Sequence, residues 1–151
     1  MALLGRVDHS LDDKGRLVVP AVFRDDLDGK LFFALGDENE VAVWPEAEFN
    51  EKLEQKKGRE REGREGAREF RRFTAYAAAC KMDAQFRIAI PETLRLKAGL
   101  GREVTIAGAS SRMEIWDRAT HAAYLDAEEA AEAAEAAAEA HDAARRAEGN
   151  R

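Results

Sequence analysis

The sequence is poor in the residues that build covalent or metal-based sites. Its 151 residues include one cysteine and three histidines, so no internal disulfide can form and Cys80 is best explained as a small core residue. The histidines lack the mutual spacing of a zinc site (His9, His121, His141). No glycine-rich phosphate loop follows a predicted strand. We therefore expect no metal, no cofactor, no small-molecule substrate and no catalysis.

Long hydrophobic runs are also missing. No apolar stretch approaches the ~20 residues that a transmembrane helix needs, and the first residues lack the basic and then hydrophobic pattern of a secretory leader. Apolar residues still make up 45% of the chain, which is enough for one domain core or for two half-size modules that share a core. The sequence predicts a cytoplasmic protein without a membrane partner.

The negative net charge is unevenly distributed. Residues 126–151 hold eight acidic residues and three arginines, a balance of −5, which leaves only −1 of the total charge of −6 for the other 125 residues. Residues 81–102, in contrast, carry five basic and two acidic side chains. A local basic surface is therefore compatible with the acidic total, and nucleic acid is not excluded as a partner.

Two stretches of the chain repeat one pattern at a constant offset. Leu11–Arg24 and Met82–Arg95 share four positions, so that Asp12, Arg16, Pro20 and Arg24 correspond to Asp83, Arg87, Pro91 and Arg95. After a one-residue slip the match continues through the pairs Gly29 and Gly101, Gly36 and Gly108, Trp44 and Trp116, and Leu53 and Leu125. A small module has been duplicated and fused. Chemistry that is present twice suits a pseudo-symmetric surface better than a single catalytic centre.

Each copy predicts a compact ββαββ unit. In the first copy we expect a hairpin of two strands around the turn residues 12–15, a short helix from Pro20 to about Leu27, and a second hairpin. The expected strands are Leu4–Leu11, Arg16–Val19, Leu31–Leu35 and Val41–Trp44. Gly15 supplies the positive φ that the tight turn needs. The second copy predicts the matching elements Ile88–Ile90, Pro91–Lys97, Glu103–Ala107 and Met113–Trp116.

The remaining segments are predicted to be mainly helical. Pro45–Phe73 has helical spacing of apolar residues with a break near Gly58–Gly66, and an alanine- and glutamate-rich helix with little to bury starts near Thr120. Tyr76–Cys80 has helical propensity, but its place in the repeat predicts a strand. We expect modules at residues 1–53 and 74–125, a charged helical linker at 54–73 and an acidic helical tail at 126–151.

The repeated motif resembles the MraZ family of bacterial transcription regulators, whose chains carry two AbrB-like modules. The match runs from about Leu3 to Leu125 and covers both Asp-x-x-x-Arg motifs and the Val-Trp-Pro and Ile-Trp-Asp strand ends. The resemblance implies an α+β, mostly β fold in which swapped hairpins of the two modules form one pseudo-twofold barrel. It also implies a ring-shaped homo-oligomer that binds short direct repeats in double-stranded promoter DNA.

The same resemblance implies where the protein acts. The expected promoter lies upstream of the division and cell-wall gene cluster that contains the regulator's own gene, and the expected direction of regulation is repression. A nucleoid-associated location in the cytoplasm follows. The main alternative is an antitoxin-like protein-interaction module of the same fold, and a third is a structural ring with incidental DNA affinity.

Five basic residues are the predicted DNA contacts: Lys14, Arg16, Arg24, Arg87 and Arg95. Arg16 and Arg87 follow the two turns, where an arginine can read guanine or clamp a phosphate, and Lys14 lies within the first turn. Arg24 and Arg95 lie late in the short helices, from which they can reach the DNA backbone. The supporting residues of the motif receive a structural role: Asp12, Gly15, Pro20, Asp83 and Pro91.

Two alternatives for these residues stay open. Arg16 and Arg87 can form plain surface salt bridges with the aspartates four residues earlier, and such bridges contribute little to stability. Arg24 and Arg95 can complement a helix C-terminus.

Phe86 replaces the turn glycine in the second copy, where a positive φ costs a bulky residue about 1–2 kcal/mol. Either the second turn has another geometry, or Phe86 gains compensating contacts with a neighbouring subunit or with DNA.

Overall fold

The computed structural model describes residues 2–150, and its internal contacts divide the chain into two units, one up to residue 118 and one from residue 119 onward. The described strands are β1 (Arg6–Ser10), β2 (Arg16–Val18), β3 (Leu31–Leu35), β4 (Val41–Pro45), β5 (Ala78–Cys80), β6 (Arg87–Ala89), β7 (Glu103–Gly108) and β8 (Met113–Asp117). The helices are α1 (Ala21–Arg24), which continues as a 3₁₀ turn over Asp25–Leu27, α2 (Glu46–Glu60), α3 (Arg64–Tyr76), α4 (Glu92–Lys97) and α5 (Arg118–Gly149).

The strands of the two copies are interleaved in the sheet. Six strands pair in the order β1–β7–β8–β4–β3–β5, while β2 and β6 form a separate two-stranded ribbon. The first strand of each copy lies beside the third strand of the other, β1 on β7 and β5 on β3, and every pairing is antiparallel. This architecture confirms the predicted mixed α+β class with antiparallel strands.

The prediction that the first two strands of each copy pair as a hairpin is wrong. β1 pairs with β7 and β2 with β6. The two strands are joined only at the turn, where the Asp12 N–H donates to the Arg16 carbonyl and the Gly15 N–H donates to the Asp12 carbonyl, each at 3.0 Å. In the second copy the Asp83 N–H donates to the Arg87 carbonyl at 2.9 Å. The strands diverge because Leu17 of β2 and Ile88 of β6 are buried against each other and the core.

The centre of the ribbon relates the two copies. Leu17 and Ile88 are directly opposite each other in the ribbon and are 0% and 1% exposed. A twofold rotation about this central pair exchanges the two neighbouring cross-strand pairs, Arg16 with Ala89 and Val18 with Arg87. Both central side chains belong to the larger core cluster, which joins the ribbon, the short helices and the sheet. The pseudo-twofold axis therefore passes through the Leu17–Ile88 pair.

Cys80 packs at the border of this larger core. It is partly buried against the cluster, and burial raises the pKa of its thiol to about 12. The thiol is therefore protonated and neutral at ordinary pH, in agreement with the expected role as a small core residue.

α2 and α3 form a helical hairpin that packs on the sheet through aromatic side chains. The Phe49 ring stacks on Phe32 with a centroid distance of 4.3 Å and on Phe73 at 5.5 Å. The predicted break near Gly58–Gly66 is a short turn at residues 61–63. Helix α3 continues to Tyr76, so the strand predicted for Tyr76–Cys80 begins two residues late, because the helical propensity of this segment holds until the backbone turns extended at residue 77.

The three prolines stand immediately before helices. Pro20, Pro45 and Pro91 are the N-cap residues of α1, α2 and α4, with φ values of −57°, −58° and −55°. The locked φ of proline suits this place, and its missing N–H leaves no unsatisfied donor there. Pro20 and Pro91 start their helices as predicted, although each lies one residue before the first helical position.

The second unit consists of α5 beyond its first residue. Every described side chain from residue 126 to residue 150 is exposed, which confirms the predicted helix with little to bury. None of the helices within residues 2–150 is long and apolar enough to cross a membrane.

Candidate nucleic-acid interface

The outer face of the ribbon carries an arginine at two diagonal corners. Side chains alternate along a strand, so Arg16 and Val18 of β2 share this face with Arg87 and Ala89 of β6. The register places Arg16 opposite Ala89 and Arg87 opposite Val18. Val18 is 37% exposed and Ala89 is also exposed. A two-stranded ribbon of this kind is narrow enough to enter the major groove of B-DNA.

Asp12 anchors the first of these arginines. Its Oδ2 accepts a hydrogen bond from Arg16 Nε at 2.6 Å, and its Oδ1 accepts from the backbone N–H groups of Lys14 and Arg16, both at 2.9 Å. These donors lower the pKa of Asp12 to about 2, the Arg16 backbone N–H having the largest effect. The aspartate therefore stays charged and fixes both the turn and the guanidinium.

Asp83 repeats the arrangement in the second copy. Its Oδ2 accepts from Arg87 Nε at 2.9 Å, and its Oδ1 accepts from the backbone N–H groups of Gln85 at 2.8 Å and Arg87 at 2.9 Å. The backbone N–H of Arg87 is the main reason why the pKa of Asp83 is lowered. Both aspartates thus hold a turn and an arginine, as the structural role assigned from the sequence requires.

Each salt bridge uses one nitrogen of the arginine guanidinium. The Nε atoms of Arg16 and Arg87 donate to the aspartates, and their Nη atoms have no hydrogen-bond partner within residues 2–150. The two side chains remain 32% and 28% exposed. The ion pairs of the salt-bridge alternative are present, but they orient the arginines instead of enclosing them. The Nη atoms can therefore still donate to an incoming acceptor.

Arg24 and Arg95 each lie against the turn of the other copy. Their Nε atoms donate to the carbonyl oxygen of the residue five positions earlier, at 2.8 and 3.0 Å. Arg24 Cζ lies 4.3 Å from the centroid of the Phe86 ring, and the Arg95 guanidinium occupies the space that a Cβ on Gly15 would need. The accepting carbonyls precede the short helices, so these bonds do not complement a helix C-terminus.

Phe86 has kept the turn conformation of the glycine that it replaces. Its φ is +61°, against +74° at Gly15, so the second turn does not have another geometry. The compensating contact within the chain is the stacked Arg24 guanidinium, and 45% of Phe86 is still exposed. An exposed aromatic ring therefore stands beside Arg87.

The structure regroups the five predicted cations across the copies. We call the two extremities of the ribbon the Gly15 end and the Phe86 end. Lys14, Arg16 and Arg95 gather at the Gly15 end, and Arg24 and Arg87 at the Phe86 end. Lys14 is exposed in the first turn. Sequence reasoning missed the outward-facing Val18 and Ala89, although the alternation around the buried Leu17 and Ile88 was a usable signal.

We expect acid to release the Asp12 anchor. The pKa of Asp12 is lowered from 3.8 to about 2 in the folded chain, so its contribution to stability is fully present above pH ~4 and is lost as the pH falls through about 2. In a carboxyl ¹³C NMR titration, the Asp12 signal should move near pH 2 in the wild type and at a higher pH in Arg16→Ala. A wild-type midpoint near 4 would contradict the anchoring geometry.

The fold and the ribbon together define a class: a duplicated α+β chain with an anchored Asp–Arg motif at each end of a shared β-ribbon. A family model described as "MraZ protein, putative antitoxin-like" matches the chain twice, over residues 2–72 and 73–144. The chain belongs to the MraZ family, as the resemblance of its motifs predicted.

Named relatives agree with this assignment. The chain is similar to the Transcriptional regulator MraZ of Clavibacter michiganensis subsp. michiganensis, at 41% identity over 128 residues, which cover 85% of this chain and 90% of the relative. The protein of the same name from Frankia alni is 42% identical over 127 residues (83% and 88%). That from Pediococcus pentosaceus is 40% identical over 117 residues (77% and 81%).

Proposed function

We propose that this chain is a sequence-specific DNA-binding transcriptional regulator that uses the outer face of the ribbon for recognition. The observation that carries the proposal is the pair of corner arginines, each held through Nε by an aspartate while its Nη atoms have no hydrogen-bond partner in the described part of the chain, residues 2–150. Relatives with about 40% identity are named transcriptional regulators. The function of a regulator requires a surface that distinguishes DNA sequences, and this surface has the required chemistry.

The corner arginines are suited to read bases. An arginine can donate two hydrogen bonds to O6 and N7 of guanine in the major groove, and a good bidentate pair discriminates against the wrong base by about 1–3 kcal/mol. Because Asp12 and Asp83 already restrict the rotamers of Arg16 and Arg87, less side-chain entropy is lost on binding. The carboxylates accept hydrogen bonds from the Nε atoms, so they orient the Nη donors that DNA would contact.

The other three cations are suited to bind phosphates. Lys14 is exposed in its turn, and Arg24 and Arg95 flank the two ends of the ribbon. Contacts to phosphate position a protein on the duplex and add affinity without reading sequence. The predicted set of DNA-binding residues therefore divides into two base-reading residues and three backbone-binding residues.

We infer that the chain acts as a ring-shaped homo-oligomer on short direct repeats. One ribbon covers few base pairs, so several linked ribbons would raise the affinity through effective concentration. Membership of the family supports a swapped-hairpin barrel with modules at residues 1–53 and 74–125. It also supports repression of the division and cell-wall gene cluster, which includes the regulator's own promoter. The protein would then act in the cytoplasm, at the nucleoid.

Footprinting on the DNA that precedes the protein's own gene tests the function. We expect protected short repeats, binding at least ~1,000-fold tighter than to random DNA at physiological salt, and a linear fall of log affinity with log salt concentration because phosphate contacts release counterions. A mass measurement of the free protein determines the oligomer. Equal affinity for specific and random DNA would reject the regulator and favour a structural ring with incidental affinity.

An antitoxin-like interaction module is the second candidate. It is favoured by the antitoxin-like character ascribed to the family and by the exposed acidic helix from residue 126 onward, which suits a basic partner surface. Deleting residues 126–151 separates the two candidates. Retained or tighter binding of the footprinted repeats by the truncated chain supports the regulator, whereas loss of a bound protein partner on truncation supports the interaction module.

A further inference from the structure

We propose that Phe86 contacts the methyl group of thymine, so that the Phe86 end of the ribbon reads an apolar feature of DNA through a ring that the Gly15 turn lacks. The inference rests on the proposed DNA-binding function and deepens it. It assigns different base preferences to two ends that the pseudo-twofold axis would otherwise make equivalent.

The two ends differ in the exposed apolar side chains of their turns and strands. The Gly15 end has its own exposed hydrophobic residue, Leu96, which is 73% exposed and follows Arg95 on α4, outside the turn and the ribbon. Three large exposed hydrophobic residues stand in one set of positions where the other copy has smaller or polar residues: Val18, Val22 and Phe86 correspond to Ala89, Thr93 and Gly15. Their exposed fractions are 37%, 64% and 45%.

These three residues belong to the same end of the ribbon. Val18 is opposite Arg87 in the ribbon, and the next N–H, of Val19, donates to the Phe86 carbonyl at 2.8 Å. Val22 lies on the helix that carries Arg24, whose guanidinium stacks on the Phe86 ring. The apolar residues therefore accompany the cations of the Phe86 end.

Burial in the core does not explain why an aromatic residue occupies position 86. The residue keeps a φ of +61°, a conformation that glycine adopts freely and that is strained for a bulky side chain. The Arg24 guanidinium covers the ring, but nearly half of the residue remains in solvent, so this strained position holds a ring that the core does not enclose. Strained and exposed residues are typical of functional surfaces.

The surroundings of the ring favour a base as its partner. Arg24 covers the ring at 4.3 Å and brings a positive charge that attracts the DNA backbone. Arg87, the next residue, is the proposed base-reading arginine of this end. Among the base edges of the major groove, the thymine C5-methyl is the apolar feature, and phenylalanine is one of the side chains that contact it.

Replacing single thymines by deoxyuridine tests the contact, since this change removes only the methyl group. On the footprinted repeats, we expect the wild type to lose about fourfold in affinity at one or two thymines, equivalent to ~0.8 kcal/mol for one buried methyl group. The Phe86→Gly variant, which fits the turn without strain, should show a flat profile and weaker binding to unmodified DNA. Leu4→Ala, an exposed apolar residue that is 66% exposed and outside the ribbon, is the matched control and should keep the wild-type profile.

The outcomes separate this proposal from the regulator function. A flat wild-type profile, or one that persists in Phe86→Gly, would overturn the thymine contact, while DNA recognition would stand if Arg16→Ala still weakened binding. If the wild type did not distinguish the repeats from random DNA, the proposed function would fail and this inference with it.

Discussion

The double variant Arg16→Ala, Arg87→Ala is expected to bind the operator about 100-fold or more weakly than the wild type, while it folds normally. Each arginine can form one bidentate contact with guanine, and two such contacts of ~1.4 kcal/mol or more give at least this factor. Folding is retained because the removed side chains lie on the outer face of the ribbon and the buried face is unchanged. Gel shifts and circular dichroism on the same samples measure both quantities.

A matched arginine outside the ribbon controls for the lost charge. Arg59 in α2 is also partly exposed, with an ion pair of 2.8 Å to Glu62 and one of 3.0 Å to Glu69, and Arg59→Ala should bind the operator almost as well as the wild type. Replacing the contacted guanine by 7-deazaguanine should weaken DNA binding by the wild type but not by Arg16→Ala. Wild-type affinity of the double variant would refute the assignment of the ribbon.

The Leu17→Ala variant is expected to lose about 2–5 kcal/mol of folding free energy, the usual cost of truncating a fully buried leucine. Leu17 is 0% exposed and is directly opposite Ile88 at the centre of the ribbon. Its truncation leaves a cavity where both copies meet, so the ribbon and the core below it are weakened together. Urea denaturation of variant and wild type gives the difference.

The neighbouring residue supplies the control for this cavity. Val18 lies one position further along the same strand, on the outer face, and is 37% exposed. Val18→Ala should therefore change the free energy of unfolding by less than ~1 kcal/mol. If Leu17→Ala changed the free energy of unfolding as little, Leu17 would not pack the ribbon against the core as described.

Local features of the fold were predictable from the sequence because their causes are local. Gly15 marks a turn since the backbone there needs a positive φ, and Pro20 and Pro91 mark helix starts since their φ is fixed. The partners of the strands were not predictable in this way. The tight turn after β1 suggests a hairpin with β2, but β2 pairs with β6, which buries Leu17.

The repeat also predicted more symmetry than the structure has. Gly36 and Gly108 align in the sequence, yet Gly36 lies in the turn after β3 and Gly108 is the last residue of β7. At Gly108 the backbone of residues 3 and 4 passes too close for a Cβ. Such a requirement arises from a distant segment of chain, so it leaves no sign in the local sequence.

The candidate site shows the same division between local and distant causes. The anchoring of Arg16 by Asp12 was predictable, because four residues and one turn suffice to build it. The stacking of Arg24 on Phe86 was not, because it joins residues of different copies. The sequence therefore predicted a set of cations for the proposed interface, while their grouping into two unlike ends required the structure.

The interleaving of strands from the two copies has a consequence for the integrity of the chain. Each half contributes an edge strand to the other, so neither half has a complete sheet by itself. A single backbone cleavage at residues 61–63, in the tip of the helical hairpin, would leave the pieces held together by four strand pairings: β1 with β7, β2 with β6, β3 with β5 and β4 with β8. Covalent continuity at that point is thus dispensable for keeping the halves together, and proteolytic nicking there need not release either one.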